Sequence, residues 1–129
     1  MEETPIRAWV NNPTVPEAQA GVRMGVYGAT TNPTFPMKML KHAEFGEQYH
    51  DFLKTMLDKY GSEGTDGVIK HFYMENVAVI AKEMYGAFKD SDGVKGLVYV
   101  IKNKMEDYYE KTYCSITRNG SHVLLRCMR

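Results

Sequence analysis

Two short polar runs carry the side chains best suited to chemistry: Asn11-Asn12 and Thr30-Thr31-Asn32-Pro33-Thr34. The second run sets three hydroxyls and an amide within five residues. Such a donor and acceptor array can hydrogen-bond the hydroxyls of a sugar or another polyol. The same residues also suit a turn, because Thr and Asn side chains bond nearby backbone and Pro33 excludes Asn32 from the helical region. Both readings stand on composition alone. Other chemistry is poorly supplied. Cys114, His122 and Cys127 lack the paired spacing and the fourth ligand of a zinc site. His42, His50 and His71 form no i, i+4 pair around a Glu. Gly61 to Gly67 holds three glycines but no phosphate-loop or dinucleotide fingerprint. Lys82, Lys95, Lys102 and Lys104 are amines without a sequence context that would make them nucleophiles. No metal and no cofactor are expected.

The elements that must position these runs follow from periodicity. Ile6 to Val10 is a short apolar run ended by Asn11-Asn12-Pro13, as a strand entering a loop. Thr14 and Glu17 have capping-box spacing, and Gly25 suits a helix C-terminus, which predicts a helix of about ten residues between them. Val26 to Thr30 reads as a second strand, ended at Asn32-Pro33. One helix is expected from about Met37 to Tyr60, with Tyr49, Phe52, Leu53, Met56, Leu57 and Tyr60 on its apolar face. A second is expected from about Thr65 to Lys89, with Ile69, Phe72, Tyr73, Ile80, Met84 and Phe88 on that face. Both should pack on one side of the sheet. Gly96 to Ile101 is the clearest strand. The alternation of strands and helices implies parallel strands with right-handed crossovers. Asn11, Thr30 and Asn32 should then lie together at the carboxyl end of the sheet, where such folds bind ligands. Beyond Ile101 the pattern changes. Lys102 to Lys111 suits a short helix, and Asn119-Gly120 a hairpin turn between Tyr113–Thr117 and Ser121–Met128.

Composition bounds the function classes. The chain has 129 residues, is 43% hydrophobic and 25% charged, and carries a net charge of zero. This is one domain's worth of sequence without the basic excess of a general nucleic-acid or anionic-membrane binder. No apolar run reaches the roughly 18–20 residues of a membrane span. The acidic Met-Glu-Glu-Thr-Pro opening is unlike a signal peptide, and two cysteines are too few for a disulfide scaffold, so a cytoplasmic protein is expected. Charge is uneven: residues 1–100 hold 10 basic and 13 acidic side chains, and residues 101–129 hold 6 and 3. That shift divides the chain into a first part, 1–100, and a divergent tail, 101–129.

The stretch Gly25-Val26-Tyr27-Gly28-Ala29-Thr30-Thr31-Asn32-Pro33-Thr34 resembles the second-strand signature of the transaldolase family. Trp9 to Gly25, with Asn11 twenty-one residues before Asn32, resembles that family's first strand and helix, most nearly in its bacterial transaldolase-like branch. The resemblance covers roughly residues 6–100. It implies an α/β fold made of the first three β/α units of a TIM-type (β/α)8 barrel, incomplete, with an atypical helix and hairpin tail. It further implies a Schiff base between a fourth-strand lysine and a ketose phosphate, and transfer of a dihydroxyacetone unit. On this reading Thr30, Thr31 and Asn32 bind substrate, and Asn11 stands at the family's catalytic aspartate. There the chain departs from the pattern, because an amide cannot transfer protons at neutral pH. The lysine-bearing strand is also missing, since Ser121 to Arg129 holds no lysine.

The expectation is therefore a transaldolase-like protein of carbohydrate metabolism, present as an inactive fragment through truncation or frameshift, with a sugar phosphate as its ligand. The alternative is a small non-catalytic α/β interaction protein or gene remnant. Nucleic-acid and membrane partners are not expected. Self-association is, through unpaired strand edges.

Overall fold

The computed structural model describes residues 7–100 in full and the backbone of 101, 117–118, 121–122 and 125–128. The chain runs β1 (Trp9–Asn11), α1 (Val15–Met24), β2 (Gly28–Thr31), α2 (Phe35–Leu40), α3 (Gly46–Tyr60), α4 (Gly64–Asp90) and β3 (Leu97–Ile101). A 3-10 turn, Gly61–Glu63, joins α3 to α4. Three short strands follow: β4 (Thr117–Arg118), β5 (Ser121–His122) and β6 (Leu125–Met128).

Helix α1 forms where its end signals place it. The Thr14 hydroxyl accepts from the Glu17 N–H, and the Glu17 carboxylate accepts from the Thr14 N–H at 2.7 Å. Gly25 closes the helix at φ 79°, a left-handed conformation that costs a residue without Cβ little. The helix expected over 37–60 is instead two. Its ladder is interrupted at His42, whose Nδ1 accepts from the backbone N–H groups of Glu44 and Phe45 at 3.2 and 3.3 Å. The imidazole takes the place of helical carbonyls as acceptor and stacks on Phe45, and α3 starts afresh at Gly46.

The main sheet has the order β1-β2-β3-β6, with every pair parallel. Trp9 pairs with Gly28, Asn11 with Thr30, and Thr30 in turn with Tyr99. Strands alternate their side chains between faces, so Val10, Ala29, Val98 and Val100 share one face. That face carries the helices. Ala18 of α1, Phe35 and Met39 of α2, and Val77, Ile80, Ala81 and Met84 of α4 pack with those strand residues into one core. An order that advances one strand at a time, with right-handed crossovers, puts successive helices on the same side.

Only α4 among the long helices meets the sheet broadly. Against the expectation that both would, α3 rests on α4 through a second cluster of Met56, Val68 and Phe72, flanked by Leu40, Phe52, Leu53 and Tyr60. Two expected core residues, Leu57 and Ile69, are half exposed in consequence. The chain leaves α4 and enters β3 through Gly96, at φ 73°. A Cβ there would meet the Met84 carbonyl and stand 2.5 Å from the Phe88 nitrogen, so only glycine fits this approach to the helix backbone.

The tail follows its expectation in one part and departs in another. β4 and β5 pair antiparallel with Thr117 opposite His122, as the expected hairpin arms would, while the expected tip, Asn119-Gly120, lies outside the described residues. Leu125–Met128, expected as part of the hairpin arm, is the fourth parallel strand beside β3. An apolar run specifies a buried strand but not which neighbour it joins or in which direction. The expected helix 102–111 lies outside the described residues. Among the described residues, no helix is long and apolar enough to cross a membrane.

Candidate functional site at the strand ends

Pleating that sends Val10, Ala29 and Thr31 toward the helices sends Trp9, Asn11, Thr30 and Tyr99 to the other face. Asn11, Thr30 and Tyr99 form a row across three adjacent strands near their carboxyl ends. The Thr30 hydroxyl donates to Asn11 Oδ1 at 3.1 Å. Asn11 is exposed and Thr30 half-buried.

Asn12, the next residue, behaves in the opposite way. It is 7% exposed, with φ 47°, a conformation that Asn tolerates better than most residues. Its N–H donates to the Thr30 carbonyl at 2.8 Å, extending the ladder past β1. Its side chain grips the loop after β2: Oδ1 accepts from the Asn32 N–H at 3.0 Å, and Nδ2 donates to Asn32 Oδ1 at 3.2 Å. Asn32 Oδ1 also accepts from the N–H of Thr34 at 2.9 Å and from its hydroxyl. The two loops are thereby tied together. Lys38 of α2 adds a bond from Nζ to the Asn12 carbonyl at 2.6 Å and lies 3.3 Å from Glu17 Oε2. The Glu17 carboxyl is held below the usual carboxylate range, first by the Thr14 N–H; burial opposes this, and Lys38 adds further lowering.

The residues singled out in the sequence therefore separate into three places. Asn11 and Thr30 meet on the open face. Asn32 sits with Asn12 and Thr34 in the tie between the loops. Thr31, expected beside Thr30 at the ligand, is fully buried on the helix side, bonded to the Tyr73 hydroxyl at 3.1 Å and the Tyr99 carbonyl at 3.3 Å. The cause is strand alternation, which two neighbouring threonines cannot evade. Sequence reasoning missed Tyr99 and Lys38 and gave Trp9 no place at the site. Period-two alternation from Asn11 and from Val98 and Val100 was a signal for Trp9 and Tyr99. No local pattern announces Lys38, whose partner carbonyl is 26 residues away.

Amides and hydroxyls can donate to and accept from a polyol, and neither transfers protons near neutral pH. Lys38 and Glu17, the ionisable groups nearest the tie, are engaged with each other and with backbone. No group of three His, Cys, Asp or Glu side chains suited to a metal ion occurs among the described residues. Compared with protein-family models, curated proteins and solved structures, the chain matches none.

Proposed function

We propose that this is a transaldolase-like α/β unit, the opening strands of a TIM-type barrel, that binds a sugar phosphate at its strand ends without forming a Schiff base. The observation that carries the reading is the Asn11–Thr30 pair at the carboxyl ends of adjacent parallel strands. Parallel α/β sheets bind ligands there, and the pair presents polyol chemistry. The stepwise strand order, with helices on one face, supports reading the sheet as a barrel segment. Asn11 in place of an acid removes a proton-transfer group, a type of contribution worth about 10²–10⁴-fold in an intact site. Lys38 is the lysine tied into the loops after β1 and β2, and its amine is directed at the Asn12 carbonyl and Glu17.

The test is borohydride trapping with fructose 6-phosphate, read by intact mass, beside an amide chemical-shift titration with the same sugar. Shifts confined to 11–12 and 30–34 without a covalent adduct support the proposal. An adduct on one lysine, lost on its replacement by alanine, would restore the full enzyme reading. The interaction-protein alternative draws on one observation. Strand β1 has a single neighbour, β2, among the described residues, and an edge of that kind can pair with another chain.

A further inference from the structure

We infer that Trp9 and Tyr99, brought together over Gly28, form an aromatic floor beside Asn11 and Thr30 that binds the ring face of a cyclic sugar. This deepens the proposed function and rests on it. Trp9 lies on the same face as Asn11, two residues earlier, and its register partner on β2 is Gly28. A Cβ at Gly28 would come within 2.5 Å of Trp9 Cζ3 and would also meet the Leu97 carbonyl. The indole therefore lies over the place where any other residue would put its side chain. Having crossed β2 in this way, it reaches the ring of Tyr99 on β3, with centroids 5.1 Å apart and planes at 56°. Trp9 nevertheless keeps 36% of its surface exposed, although large apolar side chains gain most from burial.

The adjoining row supplies what the rings lack. Asn11 and Thr30 stand one pleat further along the same face, and Thr30 is paired in register with both Asn11 and Tyr99. A sugar ring has one face of C–H bonds carrying partial positive charge and a rim of hydroxyls. The negative face of an aromatic ring attracts the first, and an amide and hydroxyl pair satisfies the second. An open-chain polyol has the hydroxyls but no flat C–H face. Asn11, Thr30 and Tyr99 carry no cationic group of their own, so the row itself offers contacts to the sugar ring and rim and not to a phosphate.

Trp9 is the only tryptophan, so its emission reports on the floor directly. The full chain is titrated with fructose 6-phosphate, fructose, the open-chain polyol sorbitol, and inorganic phosphate. Emission and amide shifts at Asn11 and Thr30 are read together. Both cyclic sugars should move both signals with similar midpoints, and sorbitol and phosphate should leave emission unchanged. Trp9→Leu should weaken cyclic-sugar binding, read from the amide shifts, by roughly threefold to tenfold. Trp9→Phe should recover most of that loss, and equal thermal midpoints for the two variants exclude misfolding as the cause. Sugar-induced shifts at Asn11 and Thr30 with unchanged emission, and undiminished in Trp9→Leu, would overturn the floor and leave the proposed function standing. No response to any sugar would overturn both. A response to inorganic phosphate equal to that of fructose 6-phosphate would overturn the assignment to the sugar ring.

Discussion

Asn11 and Asn12 are the same residue at consecutive positions, yet they belong to different regions of the molecule. Asn11 stands on the open sheet face with one side-chain bond, from a neighbouring hydroxyl. Asn12 is turned inward, holds the loop after β2 by three side-chain bonds, and receives Lys38 at its carbonyl. Residue type set the chemistry each can perform, and the pleat set which of them performs it. A buried amide with its bonds satisfied is a structural tie. An exposed amide with a free donor is available to a ligand. The contrast extends to Thr31 and Thr30, where the inward threonine is bonded to α4 and the outward one faces solvent.

The comparison breaks most visibly at Asn12. Asn12→Ala removes the tie, leaves the part-buried Asn32 N–H without its acceptor, and forces alanine into a left-handed conformation. A loss of about 2–3 kcal/mol is expected, from the unsatisfied group and the backbone together. Urea unfolding would check it, and a midpoint unchanged from the parent chain would show that the tie is not structural. Thr14→Ala is the next step down. It removes half of the capping box that also orients Glu17 toward Lys38, and should cost about 1 kcal/mol by the same measurement.

Acid should loosen the same region more gently. The Glu17 carboxyl titrates below its ordinary range when folded, so its contribution is complete above the unfolded value and is lost as pH falls through the folded one. The side chain is 56% exposed, and solvent screening holds the effect to a few tenths of a kcal/mol. Thermal midpoints measured across the acid range should therefore fall slightly further in the parent than in Glu17→Gln. Parallel curves would remove Glu17 from the account.

How much of this was legible in the sequence depended on whether the cause was local. Helix α1 was readable at both ends, because Thr14, Glu17 and Gly25 act within a few residues. The parallel strands were readable from the alternation of elements, although their limits moved. The expected 6–10 became Trp9–Asn11 and 26–30 became Gly28–Thr31. Pairing between strands fixes those limits, and Val26 gives its N–H to the Gly21 carbonyl of α1. The break between α2 and α3 depends on one ring nitrogen of His42, which no periodicity reveals. Leu125–Met128 joining β3 depends on a partner distant in sequence. At the site, residue types pointed to Asn11 and Thr30, but only the pleat separated Thr30 from Thr31 and Asn11 from Asn12.

The smallest expected effect on stability is at Asn11, and it tests the comparison from the other side. Asn11→Ala removes an exposed side chain whose single bond, to Thr30, water can replace. Surface changes of this kind fall within about 0.5 kcal/mol. If Asn11 were a second tie like Asn12, the two alanine variants would lose similar stability, and the division between open and closed regions would fail. If the open face binds the sugar rim, Asn11→Ala keeps its unfolding midpoint and loses affinity. One good hydrogen bond to a neutral ligand corresponds to about 0.5–1.5 kcal/mol, so the midpoint of a fructose 6-phosphate titration should rise roughly threefold to tenfold. Unchanged stability with unchanged affinity would leave the amide without a role in either region, and the site would then have to be sought away from the ends of β1 and β2.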